Sequence, residues 1–208
     1  MRLKSAESLE WLVAIGASAG GPMALDTVLS QLPKRFPAAV IVAQHVDAGF
    51  IPGLVAWLNR KSALPVRIAV SGDAPQPGTV LIAGRDAHLV FTGPNRLAYT
   101  CHPAETAYRP SVDVLFQSIL QHWPGKVAAV LLTGMGRDGA EGLRSLKARG
   151  QYTIAQDQSS SAVYGMPKAA FELDAASEVL ALDQIALHLG AAVTGSDLFF
   201  TSPVLHIN

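Results

Sequence analysis

The chain has 208 residues, half of them apolar and only 15% charged, with sixteen basic residues balancing sixteen acidic ones. This predicts one domain, large enough to bury roughly 70% of the surface its unfolded chain exposes. A neutral balance without long charge runs argues against a nucleic-acid-binding domain or a polybasic membrane anchor, and the lone Cys101 excludes a disulfide framework or a multi-cysteine zinc site. No stretch reaches the ~20 apolar residues that span a bilayer. Glu7 and Glu10 interrupt the N-terminal region, and the apolar run Trp11 to Ile15 leads into glycines rather than a cleavage site. A soluble, cytoplasmic chain is expected.

Leu12 to Ile15 predicts a buried strand ending at Gly16. From Pro22 to Leu32, the residues Leu25, Val28, Leu29 and Leu32 fall at i, i+3, i+4 and i+7 on one face of a helix, which Pro33 stops. Ala39 to Ala43 is a second strand, and Ile51 to Leu58 a second helix with Pro52 in its first turn. Val66 to Val70 and, after Pro77-Gly78, Thr79 to Ala83 are strands. His88 to Thr92 and Arg96 to Thr100 alternate around Gly93-Pro94-Asn95, the pattern of an antiparallel hairpin. A helix from Val112 to His122 has Ser111 as its N-cap. Val127 to Leu132 is the most apolar strand, and Ala140 to Arg149 a helix closed by Gly150. Tyr152 to Ala155 is a strand, Ser159 to Ser161 a loop, and helices follow near Pro167 to Leu173 and Leu182 to Leu189. Leu198 to Asn208 shows no period and is unassigned. Apolar strands alternating with helices imply a parallel sheet covered on both faces.

In such sheets, sites lie beyond the carboxyl ends of the strands. The first strand runs into Gly16-Ala17-Ser18-Ala19-Gly20, a G-x-S-x-G turn that would expose a serine hydroxyl before a helix. The alternative is a glycine-rich turn that packs strand on helix or cradles a phosphate, although G-x-G-x-x-G and a P-loop lysine are both missing. The second strand ends in Gln44-His45-Val46. His45 could take the serine proton, or simply hydrogen-bond within its loop. A later strand ends in Thr133-Gly134-Met135-Gly136-Arg137-Asp138-Gly139, a glycine-rich loop whose amides could turn inward as an oxyanion site requires. Asp138 could orient the histidine, or cap the helix that follows. The order Ser18, His45, Asp138 differs from that of α/β-hydrolases, so a different fold with the same triad logic is expected. Cys101 has no histidine at a strand end beside it. His88, His102, His122, His188 and His206 lack metal-ligand spacing.

The segments IGASAGGP, AQHVDAGF, RPSVDVLF (Arg109 to Phe116), LLTGMGRDGAEGL and TIAQDQSSSAVYGMPKAA occur in order over roughly residues 11 to 190. They resemble the catalytic domain of the chemotaxis protein-glutamate methylesterase (CheB-type) family. The resemblance implies an α/β fold: a doubly wound, mainly parallel sheet with helices on both faces, here with the antiparallel hairpin. It implies hydrolysis of glutamate methyl esters on methyl-accepting chemoreceptor signalling helices, deamidation of particular receptor glutamines by the same acyl transfer, and neither metal nor organic cofactor. Ser18 becomes nucleophile, His45 general base and acid, and Asp138 the orienting carboxylate. Amides around Ala19, Gly20, Met135 and Gly136 become oxyanion candidates. Arg109 and Met166 become candidate substrate contacts, against an ordinary ion pair and a buried methionine.

Two departures from the family stand out. Its chemotaxis enzymes usually carry an N-terminal receiver domain, whereas only about ten residues precede the first strand here. A single catalytic domain over 1–208 without a receiver domain is therefore expected, either an excised catalytic domain or a stand-alone relative regulated by other means, a separate regulatory protein among them. Many members also have threonine where this chain has Ala19. Two rival readings remain: a serine hydrolase or amidase acting on another substrate, and a non-catalytic signalling module whose glycine loops bind an anion or partner.

Overall fold

The structure, a computed structural model, describes residues 11–195. The unassigned segment Leu198 to Asn208 lies outside the described residues. The strands in chain order are β1 (Trp11–Ala17), β2 (Ala39–Gln44), β3 (Val66–Ile68), β4 (Val80–Ile82), β5 (His88–Gly93), β6 (Arg96–Thr100), β7 (Lys126–Leu131), β8 (Tyr152–Gln156) and β9 (Glu178–Leu180). The helices are α1 (Gly21–Ser30), α2 (Ile51–Leu58), α3 (Val112–His122), α4 (Ala140–Ala148), α5 (Met166–Glu172) and α6 (Leu182–Thr194). β5 and β6 form the expected antiparallel hairpin. The other seven strands make one sheet in the order β3-β4-β2-β1-β7-β8-β9, and every pairing in it is parallel.

Alternation along the central strands sorts the core into two layers. Leu12 and Ala14 of β1, Ile41 of β2 and Leu131 of β7 pack with Val112, Phe116, Leu143 and Met166, so α3, α4, α5 and the hairpin cover one face. Val13, Ile15, Val42 and Val130 pack with Leu25, Leu29, Leu54 and Leu189, so α1, α2 and α6 cover the other. Each fully buried Leu, Ile or Val contributes about 1.5–3 kcal/mol of transfer free energy, which is why strands apolar on both faces settle in the middle of the sheet.

Element bounds differ from expectation most at α6, which runs to Thr194 rather than Leu189, and at two strands. The third strand ends at Ile68 rather than Val70, because the Val70 amide donates to the Asp73 carboxylate at 2.8 Å and turns the chain away. The edge strand β9 was not expected. It has three residues, none fully buried, and is a strand only through its pairing with β8. Among the described residues, no helix is long and apolar enough to cross a membrane.

Candidate active site

The chain leaves β1 toward β2 on one side, and β7 flanks β1 on the other. The crevice at such a reversal opens beyond the carboxyl ends of these three adjacent strands. Ser18 follows β1, His45 follows β2 and Asp138 lies in the loop after β7. The Ser18 backbone is tied on several sides. Its amide donates to Thr133 O at 3.0 Å, and its carbonyl accepts from Gly21 N at 2.8 Å and from Gln44 Nε2 at 2.9 Å. Gln44 Nε2 also donates to His45 O at 3.0 Å, and the His45 amide donates to Ala17 O at 2.9 Å. One carboxamide thus clamps the serine turn to the histidine turn. Gly20 takes the left-handed φ of 78° that this turn demands, and a Cβ there would come within 2.7 Å of Ala162 Cβ.

Asp138 is held by four donors. Oδ2 accepts from His45 Nε2 at 2.8 Å and from Val112 N at 2.7 Å, while Oδ1 accepts from Ser111 Oγ at 2.8 Å and Asp113 N at 3.1 Å. Burial alone would raise this carboxyl, but the hydrogen bonds from His45, Val112, Asp113 and Ser111 together hold it below the usual carboxylate range. The alternative role, as cap of the following helix, is not the one observed. Gly139 is the N-cap of α4, and the Asp138 carboxylate turns instead to the first turn of α3.

His45 and Asp138 side chains are only 7% and 10% exposed. Since ionised Asp138 accepts from Nε2, that nitrogen carries the hydrogen and Nδ1 keeps a lone pair. Nδ1 is buried without a hydrogen-bond partner, so Ser18 Oγ and His45 are not hydrogen-bonded in this structure. Such contacts commonly tighten only when substrate is bound. One face of the imidazole is covered by Tyr108, with ring centroids 4.3 Å apart and planes 10° from parallel.

The oxyanion candidates separate. The Ser18 amide is committed to Thr133 O and the Gly134 amide to Val163 O, so neither is available. The amides of Ala19, Gly20, Met135 and Gly136 donate to no acceptor among the described residues. The two loops that carry them touch: a Cβ on Gly134 would collide with Met166 Sδ and lie 2.7 Å from Ser18 Cβ. Met166 is fully buried beneath this loop, as the buried-methionine alternative describes. Arg109 Nη2 donates to Ala104 O at 2.9 Å within its own loop.

Three contributors to the site went unread as such in the sequence. Ser111 is the expected N-cap of α3, accepting from Val114 N, but its hydroxyl also donates to Asp138. Gln44 adjoins the expected base, and that adjacency was its only signal. Tyr108 carried no signal, since its contact with His45 is purely tertiary.

A CheB methylesterase family model matches residues 13–189. The chain belongs to the CheB methylesterase family. A protein-glutamate methylesterase/protein-glutamine glutaminase from Cupriavidus pinatubonensis is 58% identical over 178 residues, covering 86% of this chain and 52% of that protein. One from Burkholderia thailandensis is 58% identical over 175 residues, covering 84% of this chain and 51% of that protein. The chain thus spans about half the length of these curated relatives. The crystal structure of the Thermotoga maritima CheB methylesterase catalytic domain matches with a TM-score of 0.82 at 36% identity, covering 87% of this chain and 97% of that one. The doubly wound CheB fold expected from the motifs is therefore the fold observed.

Proposed function

We propose that the chain is a single catalytic domain that hydrolyses glutamate methyl esters on the cytoplasmic signalling helices of methyl-accepting chemoreceptors. Ser18 is the nucleophile, His45 the general base and acid, and Asp138 the orienting carboxylate. The observation that carries this reading is the His45 Nε2–Asp138 Oδ2 contact at 2.8 Å, made at the ends of strands adjacent to the one that delivers Ser18.

Ser18 Oγ attacks the ester carbonyl as its proton passes to His45 Nδ1, the nitrogen that Asp138 leaves free. The tetrahedral oxyanion is received by amides drawn from Ala19, Gly20, Met135 and Gly136. His45 returns the proton to the departing methoxide, and methanol leaves. Water then gives a proton to His45 and attacks the acyl-serine, which frees the glutamate carboxylate and restores the Ser18 hydroxyl. Asp138 stays ionised throughout and offsets the imidazolium charge in both steps. A primary amide reaches the same acyl-serine with ammonia leaving, so glutamine deamidation belongs to the proposal; the relatives' names pair the two activities. Arg109, tied to its loop, and Met166, buried, take no part in these steps.

The test is methanol release from methylated chemoreceptor signalling fragments by wild type and Ser18→Ala in parallel. Wild type should release methanol, and the folded variant should fall to background. Normal turnover by a folded Ser18→Ala protein would overturn the assignment.

A further inference from the structure

We propose that Tyr108 is a positioning residue for His45, holding the plane of the imidazole; the inference rests on the acyl-transfer reading above. The hydrogen bond to Asp138 fixes one nitrogen of His45 but leaves the ring free to tilt about that contact. A flat partner 4.3 Å away and 10° from parallel removes that freedom, so the direction of the Nδ1 lone pair is set by an edge contact and a face contact together.

The loop that presents Tyr108 is itself fastened. Fully buried His88 joins both of its ends: Nε2 meets Pro103 O at 3.1 Å and Thr106 Oγ1 at 3.1 Å, while Nδ1 accepts from Ser111 N at 3.0 Å. Arg109, the next residue, donates back to Ala104 O. At its far end Tyr108 reaches the glycine loop, where a Cβ on Gly136 would lie 3.3 Å from the phenol oxygen. Tyr108 also forms a wall of a cavity of about 490 Å³ shared with Asp113, Arg137 and Asp138.

The contact also changes strength along the reaction. While His45 is neutral, the stack is an ordinary aromatic pair. Once His45 has taken the Ser18 proton, the electron-rich face of the phenol lies against a cation, an arrangement more favourable than the neutral one. An interaction that strengthens after proton transfer lowers the barrier without tightening ester binding, so its removal should lower kcat and leave KM unchanged.

The experiment measures the rate at which an organophosphorus fluoride labels Ser18, and kcat and KM for methanol release, in the full chain and its variants. Tyr108→Phe keeps the flat face and should label within about twofold of wild type. Tyr108→Leu fills similar volume without a flat face and should label about 3- to 10-fold more slowly, with kcat reduced and KM retained. Tyr108→Trp and Tyr108→Met repeat the flat-against-flexible comparison, so that misfolding of one variant, checked by circular dichroism, does not decide the outcome. Wild-type labelling by the folded Leu and Met variants, or an equal loss in Phe and Leu, would overturn the role given to the ring face. Failure of wild type itself to label at Ser18 would overturn the hydrolase reading, and this inference with it.

Discussion

Asp113 and Asp138 cap one another's helices. Asp138, just before α4, accepts the Asp113 amide of α3 at 3.1 Å, and Asp113, in the first turn of α3, accepts the Gly142 amide of α4 at 2.7 Å. The first amides of a helix have no partner within it, and the N-cap of α4, Gly139, has no side chain to offer. The crossed arrangement satisfies both helices and sets the proposed triad carboxylate at two positive helix ends. The cost falls on Asp113, whose carboxyl is pushed above its usual range, first by burial and then by the charge of Asp138 beside it.

This division predicts opposite pH behaviour for the two carboxylates. The depressed value of Asp138 means that its stabilisation is fully present above the ordinary carboxylate range and is lost as pH falls through that depressed value, below about pH 4. Asp113, with a raised value, is a net cost to folding when ionised, and that cost disappears on acidification. Asp113→Asn should therefore melt at a higher temperature than wild type at pH 7, with the advantage shrinking toward pH 3. Thermal melts across that interval test this; a lower melting temperature at pH 7 would contradict it.

Asp138→Asn replaces an acceptor that meets four donors with a group that must direct an N–H₂ at one pair of them. In place of Oδ2 that N–H₂ would deprive both His45 and Val112 N of their acceptor, and in place of Oδ1 it would deprive Ser111 and Asp113 N. Turnover should fall by about 10⁴, the scale of losing the orienting carboxylate in a serine triad, and the melting temperature should fall as well. A variant with more than a tenth of wild-type kcat would show that the carboxylate does not orient the base.

Ser111→Ala deletes one hydroxyl with two tasks, the bond to Asp138 and the cap on Val114 N. The cap alone is worth about 0.5–2 kcal/mol. The loss of stability should be accompanied by a drop in kcat of about tenfold, because Asp138 loses one of the bonds that aim it. Denaturant unfolding and steady-state kinetics on the same sample separate the effects. A destabilised protein with unchanged kcat would reduce Ser111 to a helix cap.

Gln44→Leu removes the clamp between the serine and histidine turns; the Ser18 carbonyl keeps Gly21 N, but the His45 carbonyl loses its donor. Unsatisfied buried acceptors cost about 1–3 kcal/mol each. Labelling of Ser18 should slow even at temperatures where the fold, judged by circular dichroism, is intact. Labelling at the wild-type rate would show that the remaining bonds of the two turns hold them unaided.

Much of this protein is legible one segment at a time. Short apolar runs ending in glycine, and amphipathic stretches between them, are local patterns, and they locate Ser18, His45 and Asp138 at strand ends before any contact is known. Helix α2 falls on the expected residues Ile51–Leu58 because Pro52 and the apolar face mark it within a single window. β9 escapes such a reading because three edge residues, two half-covered and one exposed, have no pattern of their own.

What sequence alone determined was therefore the set of elements, the reactive side chains at their ends and, through the motifs, the family. Tertiary structure decided how those side chains meet. Placing β1 between β2 and β7 joins His45 to Asp138 across 93 residues, selects Nε2 for that bond and leaves Nδ1 without a hydrogen-bond partner. It turns Asp138 toward α3 instead of its own helix and lays Tyr108 on the imidazole. Periodicity reports which side of a strand or helix is apolar; partners distant along the chain are chosen by packing, and only the assembled sheet supplies it.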